Sequence, residues 1–299
     1  MNGNASFLEP VLFLALLGVA MTLVLYRPVM KRKNYWAQEV AKVRGGGYVP
    51  PPPKYLHALI MRLFCIAFAF VEVGPIRIVG KYRLPKNGPT IIAPFHVDAG
   101  DASVVSALIG IKPMYYLIRT TEVLGWRGWL AAMTGAIAVD EESQEGRTKA
   151  FKSTVNALVN GGPNVHIVIF PQGQLVPDEE VRRHDFKSGT MAIARIAARK
   201  RKEPIWIVPV GIHYKTEPEE GTLFQHLVER LGFKKFRNLF GRKNYGAYAV
   251  IGKPFQITPK APDLDLVMRS LTLEDDADKA TDTYVKRLKI LQKTARQKA

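Results

Sequence analysis

Between Ile76 and Phe255 the hydrophobic positions fall into two alternating patterns. Ile76-Arg-Ile-Val-Gly80, Thr90 to Phe95, Met114 to Ile118, Ala136 to Val139, Val165 to Phe170, Ile205 to Gly211 and Tyr248 to Ile251 are short apolar runs bounded by Gly, Pro and Asn. Such runs read as buried strands. Between them lie helical patterns: Ala102 to Ile109, Leu124 to Met133 with Trp126 and Trp129, and Thr190 to Lys200. Phe151, Val155, Leu158 and Val159 recur at helical spacing, and that helix should stop at Gly161-Gly162-Pro163. The alternation predicts an α/β domain with a largely parallel central sheet flanked by helices, in which ligands gather beyond the carboxyl ends of the strands. His96, the turn after Val139 and the turn after Phe170 should then share one rim.

The pattern changes at both ends of the chain. Val11 to Tyr26 is uncharged and is followed by Arg27, Lys31, Arg32 and Lys33. As a helix it would reach about 24 Å at 1.5 Å per residue, just short of the roughly 30 Å hydrocarbon core. No Lys or Arg precedes it, which argues against a cleaved signal peptide, and the cations after it predict a cytoplasmic C-terminal side. A spanning helix and a re-entrant or surface-lying anchor both fit. Gly45 to Gly47 and Pro50 to Pro53 read as a linker. Leu56 to Val73 is apolar but holds Arg62 near its middle, which would cost on the order of 2.5 to 3.5 kcal/mol in a spanning helix. This segment reads either as an interfacial helix or as an ordinary core helix. Phe233 to Lys243 interleaves aromatics with cations, suited to anionic head groups or to a solvated loop, and Glu274 to Asp278 opens a closing helix. The expected organisation is residues 1–54 as anchor and linker, 55–75 as an interfacial helix, 76–260 as the main domain and 261–299 as a helical extension.

Composition narrows the partners. Lys and Arg total 43 against 26 Asp and Glu, for a formal charge of +17. That excess points to a polyanion: nucleic acid, an anionic membrane surface or a phosphorylated substrate. No nucleic-acid-binding module is present in the sequence, and two hydrophobic segments favour the membrane. The single cysteine, Cys65, excludes an internal disulfide framework and a cysteine-rich zinc site, and six histidines without metal-ligand spacing give no metal motif.

The chemistry concentrates at Ile91-Ile-Ala-Pro-Phe-His-Val-Asp-Ala-Gly-Asp101. A histidine at a strand end and a carboxylate at the mouth of the next helix can face each other. The carboxylate then fixes the imidazole tautomer and leaves the other ring nitrogen as a general base. Asp101 also suits the N-cap of the following helix, and Asp98 rivals it as the partner of His96. His166, inside an apolar strand, reads as core. Cys65 reads as a small buried apolar residue, and His213 and His226 have no evident partner.

His96-x4-Asp101, Gly135-Ala-Ile-Ala-Val-Asp140, Phe170-Pro171-Gln172-Gly173-Gln174 and Ile207-Val-Pro209-Val210 resemble, in order and spacing, the four blocks of the glycerolipid acyltransferase superfamily. Its best-known members are the lysophosphatidic acid acyltransferases. Phe186-Lys187-Ser188-Gly189 and Gly252-Lys253-Pro254 look like further family features. The resemblance implies acyl transfer from acyl-CoA or an acyl carrier protein to a lipid hydroxyl, with His96 as base, Asp101 orienting it, and no metal or bound cofactor. It also implies substrate contacts from Asp140, Phe170, Pro171, Gln172, Gly173, Gln174, Lys187, Gly189 and Pro209, and oxyanion donors near Val208 to Gly211. The expected partners are membrane lipids and the thioester donor, with a membrane-associated catalytic domain on the cytoplasmic side.

Two positions depart from the family pattern. Gln172 stands where Glu is usual, and Glu141 where Arg is frequent. Lys187, Arg182, Arg183 or His184 could supply the missing positive charge; alternatively the acceptor carries no phosphate, or the chain is an inactive membrane-bound binding protein.

Overall fold

The computed structural model of the protein describes Ala69 and residues 73–98, 100–109, 114–120, 135–176, 178, 180–215, 246–259 and 266–298, with the side chains of 266–276 and 279 excepted. The apolar run Val11 to Tyr26, the linker, most of Leu56 to Val73, the Leu124 to Met133 helix and the Phe233 to Lys243 stretch lie outside these residues. No helix among the described residues is long and apolar enough to cross a membrane.

Among the described residues eight strands form one sheet: β1 (Ile76–Val79), β2 (Thr90–Pro94), β3 (Met114–Arg119), β4 (Ala136–Val139), β5 (His166–Val168), β6 (Ile205–Tyr214), β7 (Ala247–Ile251) and β8 (Phe255–Ile257). Their order is β1-β7-β6-β2-β5-β3-β4, with β8 also on β6. All pairs are parallel except those of β6 with β7 and β8. The predicted, largely parallel α/β sheet is therefore present. Strand β2 is buried along its whole length, which is why it reads as an unbroken apolar run.

Among the described residues four α-helices accompany the sheet: α1 (Asp101–Ile109), α2 (Gln144–Asn160), α3 (Gly189–Arg201) and α4 (Leu266–Lys298). The Ser143 side chain caps α2 by accepting from Gly146 N at 2.9 Å, and α2 ends at Gly161 as its glycine pair predicts. Helices α2, α3 and α4 pack in that order, and α4 lies along β6 and β7. Tyr284 and Leu288 of α4 enter the main core.

Three differences from the sequence expectation concern β6 and the elements after it. Helix α4 begins at Leu266, ahead of the acidic cluster at Glu274. Tyr248 to Ile251 is not the final strand, because β8 follows after Gly252-Lys253-Pro254. Along one side of β6, Val210 pairs with Ile251 and Ile207 with Phe255. Three residues of the β7–β8 ribbon thus oppose two of β6, the count of a bulge. Pro209 O accepts from Gly252 N at 2.9 Å, so the proline nitrogen, on the same strand edge, faces this break where no ladder donor is required.

The third difference is the length of β6, which runs to Tyr214 and not to Gly211. Its last bond to β2 takes Val210 O to Phe95 N at 2.9 Å. Ile212, two residues on, presents its backbone toward the same side after β2 has turned away. The Gln292 side chain of α4 fills that place: its Oε1 accepts from Ile212 N at 3.2 Å and its Nε2 donates to Ile212 O at 2.6 Å. A side-chain amide thereby continues the ladder in place of a strand. Replacing Gln292 by Ala leaves two buried backbone groups unpaired and should cost about 2 to 4 kcal/mol. Denaturant unfolding of the variant, read as a lowered midpoint at unchanged m-value, checks this.

Candidate functional site

Strand β2 ends at Pro94, and the next residues turn over the carboxyl rim of the sheet into α1. Within that turn Asp101 Oδ2 receives His96 Nδ1 at 2.8 Å, Val97 N at 2.7 Å and Asp98 N at 3.0 Å. Asp101 Oδ1 accepts from the Tyr214 hydroxyl at 2.6 Å. The carboxylate is 0 % exposed. Burial raises its pKa above the ordinary aspartate value, while the bonds from His96, Tyr214 and the backbone act in the opposite direction. Asp98 turns away and accepts from Gly100 N at 2.7 Å, which decides the choice between the two aspartates in favour of Asp101. Asp101 is the first residue of α1 and not its N-cap: its carboxylate bonds the amides of Val97 and Asp98, which precede the helix, while Ser103 N and Val104 N donate to Gly100 O.

With a carboxylate on Nδ1, the imidazole carries its proton there and Nε2 is the acceptor nitrogen. The His96 side chain is 22 % exposed, open enough to be reached. Its ring stacks on Phe170 with centroids 4.1 Å apart and an interplanar angle of 27°. The next turn is bound to the first one directly, through Val176 N donating to His96 O at 2.8 Å.

The residues singled out in the second and third blocks occupy this rim in different states. Pro171 and Gln172 are buried, and Gly173 and Gln174 are exposed. Gln172 is 1 % exposed, and neither atom of its amide has a hydrogen-bond partner among the described residues. Gly173 has φ +70°, a left-handed conformation that suits glycine in so tight a turn. Lys187 is exposed; its Nζ is 3.9 Å from where a Cβ on Gly173 would stand. Gly189 opens α3, and no atom of the described residues lies within 4 Å of where its Cβ would stand.

Asp140 is occupied locally: it accepts from Ser143 Oγ at 2.8 Å and from Glu142 N at 3.1 Å. The Ser143 bond first, then the backbone donors and Arg147, hold its carboxyl below the ordinary value. Pro209 lies inside β6 opposite Ala93, within the sheet and below the rim on which His96 sits. Val208 to Gly211 is interior strand, registered with β2 on one side or with the β7–β8 ribbon on the other. The oxyanion donors expected there are thus engaged in sheet pairing. His166 is core, its Nδ1 donating to Asn164 O at 2.6 Å.

Two residues at the rim were not anticipated. Arg119 ends β3, ion-pairs through Nε with Glu141 Oε2 at 2.9 Å, and donates from Nη2 to Gly173 O at 2.6 Å. It ties the second block to the third. The other is Tyr214. Both stand just past the point where the apolar pattern of their strands stops, and extending each strand by the carboxyl-end rule would have reached them. Among the cations weighed from sequence, Arg182 pairs with Asp178 and Glu180, and Arg183 with Asp278 and Asp282 of α4. His184 is 77 % exposed beside Asp185. Among the described residues, Lys187 and Arg119 both approach Gly173.

The family model described as Acyltransferase matches residues 75–213. No curated protein sequence matches the chain. Among solved structures, the chain is similar to the 1-acyl-sn-glycerophosphate (LPA) acyltransferase PlsC from Thermotoga maritima. The identity is 18 %, over 75 % of this chain and 78 % of that one, with a TM-score of 0.43.

The burial of Asp101 generates a stability prediction. Because its folded-state pKa is raised, the ionised carboxylate is disfavoured by folding, and that cost is absent at acid pH and appears as pH rises through the folded value. In Asp101→Asn the amide oxygen can keep the three donors on the Oδ2 side, and the amide NH2 can donate to Tyr214 O. The variant should therefore melt at or above the wild-type temperature at pH 7, with the gap closing toward pH 4. Thermal unfolding across that range measures it; a variant that melts well below wild type at pH 7 contradicts this account.

Proposed function

The chain belongs to the acyltransferase family through residues 75–213, and from that premise we propose that it acylates the free hydroxyl of a lysophospholipid. The proposed acceptor is 1-acylglycerol-3-phosphate, the product phosphatidic acid, and the donor a fatty acyl thioester of coenzyme A or acyl carrier protein. The observation that carries the reading is the His96–Asp101 pair at the sheet rim, with Nδ1 tied at 2.8 Å and the ring partly open.

The scheme follows from that geometry. The acceptor hydroxyl gives its proton to His96 Nε2 as its oxygen attacks the thioester carbonyl carbon. A C–O bond forms and the carbonyl becomes a tetrahedral oxyanion. On collapse the C–S bond breaks, and the proton held by His96 passes to the leaving thiolate. Asp101 stays ionised and stabilises the imidazolium formed between the two steps. Only the thioester is needed as co-substrate.

For the acceptor's phosphate the reading assigns Arg119 and Lys187, both beside Gly173. Glu141 then sets the orientation of Arg119 through their ion pair, in place of the arginine that the family often carries there. A second reading, an acceptor without phosphate, draws on a specific observation: Glu141 already matches the charge of Arg119. In both readings the basic chain works on anionic membrane lipids, from a membrane-associated position on the cytoplasmic side.

The test is thiol release from palmitoyl-CoA and from palmitoyl acyl carrier protein by detergent-purified protein, with lysophosphatidic acid and a phosphate-free glycolipid as parallel acceptors. Wild type should turn over lysophosphatidic acid, and His96→Ala should lose about 10²- to 10⁴-fold in kcat, the usual contribution of a general base. Arg119→Ala should raise KM for lysophosphatidic acid about tenfold or more with a smaller effect on kcat, as expected for loss of a charged contact. Turnover of the glycolipid alone would establish the second reading. Silence with every pair would leave a membrane-bound binding protein.

A further inference from the structure

Strand β6 continues four residues beyond Val210, where β2 ends beside it. That overhang lifts Tyr214 above the rim, alongside the turn that holds His96 and Asp101. Its ladder partner there is Ala247 of β7, and the following Lys215 N donates to Gly246 O at 2.9 Å, which anchors the strand end. Tyr214 is 6 % exposed. A tyrosine buried to this degree must place its hydroxyl on a partner, and here the partner is the Asp101 carboxylate at 2.6 Å, within the range of charge-assisted O–H···O⁻ bonds.

The two oxygens of Asp101 have different duties. Oδ2 faces His96 and the backbone amides of its own turn; Oδ1 faces Tyr214, 113 positions away in sequence. Tyr214 therefore draws on the same negative charge that holds the His96 imidazole. We propose that Tyr214 is a positioning residue for acyl transfer, fixing the Asp101 carboxylate from the side opposite His96 and setting how strongly the His96–Asp101 pair holds its proton. The proposal deepens the reading above and rests on His96 acting as general base. Tyr214 lies just past the segment 75–213 that matches the family model, so that match assigns it no role.

Among the described residues, few groups bear on the charge balance at this turn. Asp98 is engaged by Gly100 N. On β1 and β7, the strands in contact with α1, Arg77 donates to the Tyr248 hydroxyl at 3.3 Å; Lys215, just past β6, has its Nζ 4.8 Å from the centre of the Tyr248 ring. Among the described residues, the side chains that bond directly to Asp101 are His96 and Tyr214.

Tyr214→Phe keeps the ring and removes the donor. Asp101 then carries more of its charge toward His96, and the imidazolium form becomes easier to make. The pair should accordingly take up its proton at higher pH. In full-length, detergent-solubilised protein labelled with ¹⁵N-histidine and assigned with His96→Ala, the His96 titration midpoint should move up by about one pH unit, the equivalent of one hydrogen bond to a charged group. The acid limb of kcat with palmitoyl-CoA and lysophosphatidic acid should move the same way. At the plateau kcat should fall about five- to tenfold, with KM for both substrates within about twofold. Where Phe disturbs folding, 3-fluorotyrosine at position 214 is the second variant: its phenol is more acidic and donates more strongly, so the midpoint should move down. A folded Tyr214→Phe protein with the wild-type midpoint, kcat and pH profile overturns the proposal and makes Tyr214 an ordinary core residue. Retained activity in His96→Ala would instead defeat the acyl-transfer scheme, while the nuclear magnetic resonance titration would still decide whether Tyr214 tunes the pair.

Discussion

The rim of this sheet depends on one buried anion. The Asp101 carboxylate lies out of contact with water and collects an imidazole, two backbone amides and a phenol. An unpaired carboxylate in that place would be prohibitively expensive, so each donor is required by the burial of the charge. The same four bonds also define the local geometry. Two fix the turn after β2, one fixes the tautomer of His96, and one fastens that turn to the end of β6. The pairing of His96 and the fold of its turn are thus satisfied by a single group.

Around that anion the sheet topology does the arranging. Parallel pairing of β2 with β5 and β6 brings the turn after Phe170 and the end of β6 to the same level as His96. Stacking of Phe170 on the imidazole and the bond from Val176 to His96 then join two segments distant in sequence. Arg119 extends the linkage sideways by bonding both Glu141 and Gly173. On the other side of β2, Phe95, Phe186 and Tyr284 form a run of ring contacts, and the Tyr284 hydroxyl reaches Ala93 O at 2.9 Å. Helix α4 thereby supports β2 three residues before the histidine.

Much of this was legible in the sequence because it depends on local patterns. Buried parallel strands leave continuous apolar runs, the Ser143 cap and the Gly161-Gly162-Pro163 stop mark α2, and the His96-to-Asp101 spacing follows from one turn. What was not legible arises from pairings between distant segments. The choice between Asp98 and Asp101 is made by which backbone amides each side chain meets, and spacing contains no record of that. Tyr214 and Arg119 were missed because a strand's apolar signal fades at the rim, where its residues begin to serve the site. Strand β8 was missed because a bulge at Gly252 to Pro254 interrupts its ribbon and looks like an exit turn. The early start of α4 was hidden because its first turns are not marked by the acidic cluster used to place it.

The amide of Gln292 and the hydroxyl of Tyr284 have a consequence for the order in which the molecule comes together. These contacts close loops of 80 and 191 residues, so they belong to the slowest class of native contacts to form, those whose chain entropy is lost before any packing is gained. During synthesis β2, its histidine and its aspartate emerge long before the helix that completes the ladder at Ile212. Until α4 arrives, the end of β6 is an open edge, exposed to pairing with other chains. The turn that holds His96 and Asp101 is therefore written early and made firm late, and the interval between the two is when this chain is most in need of protection from its own kind.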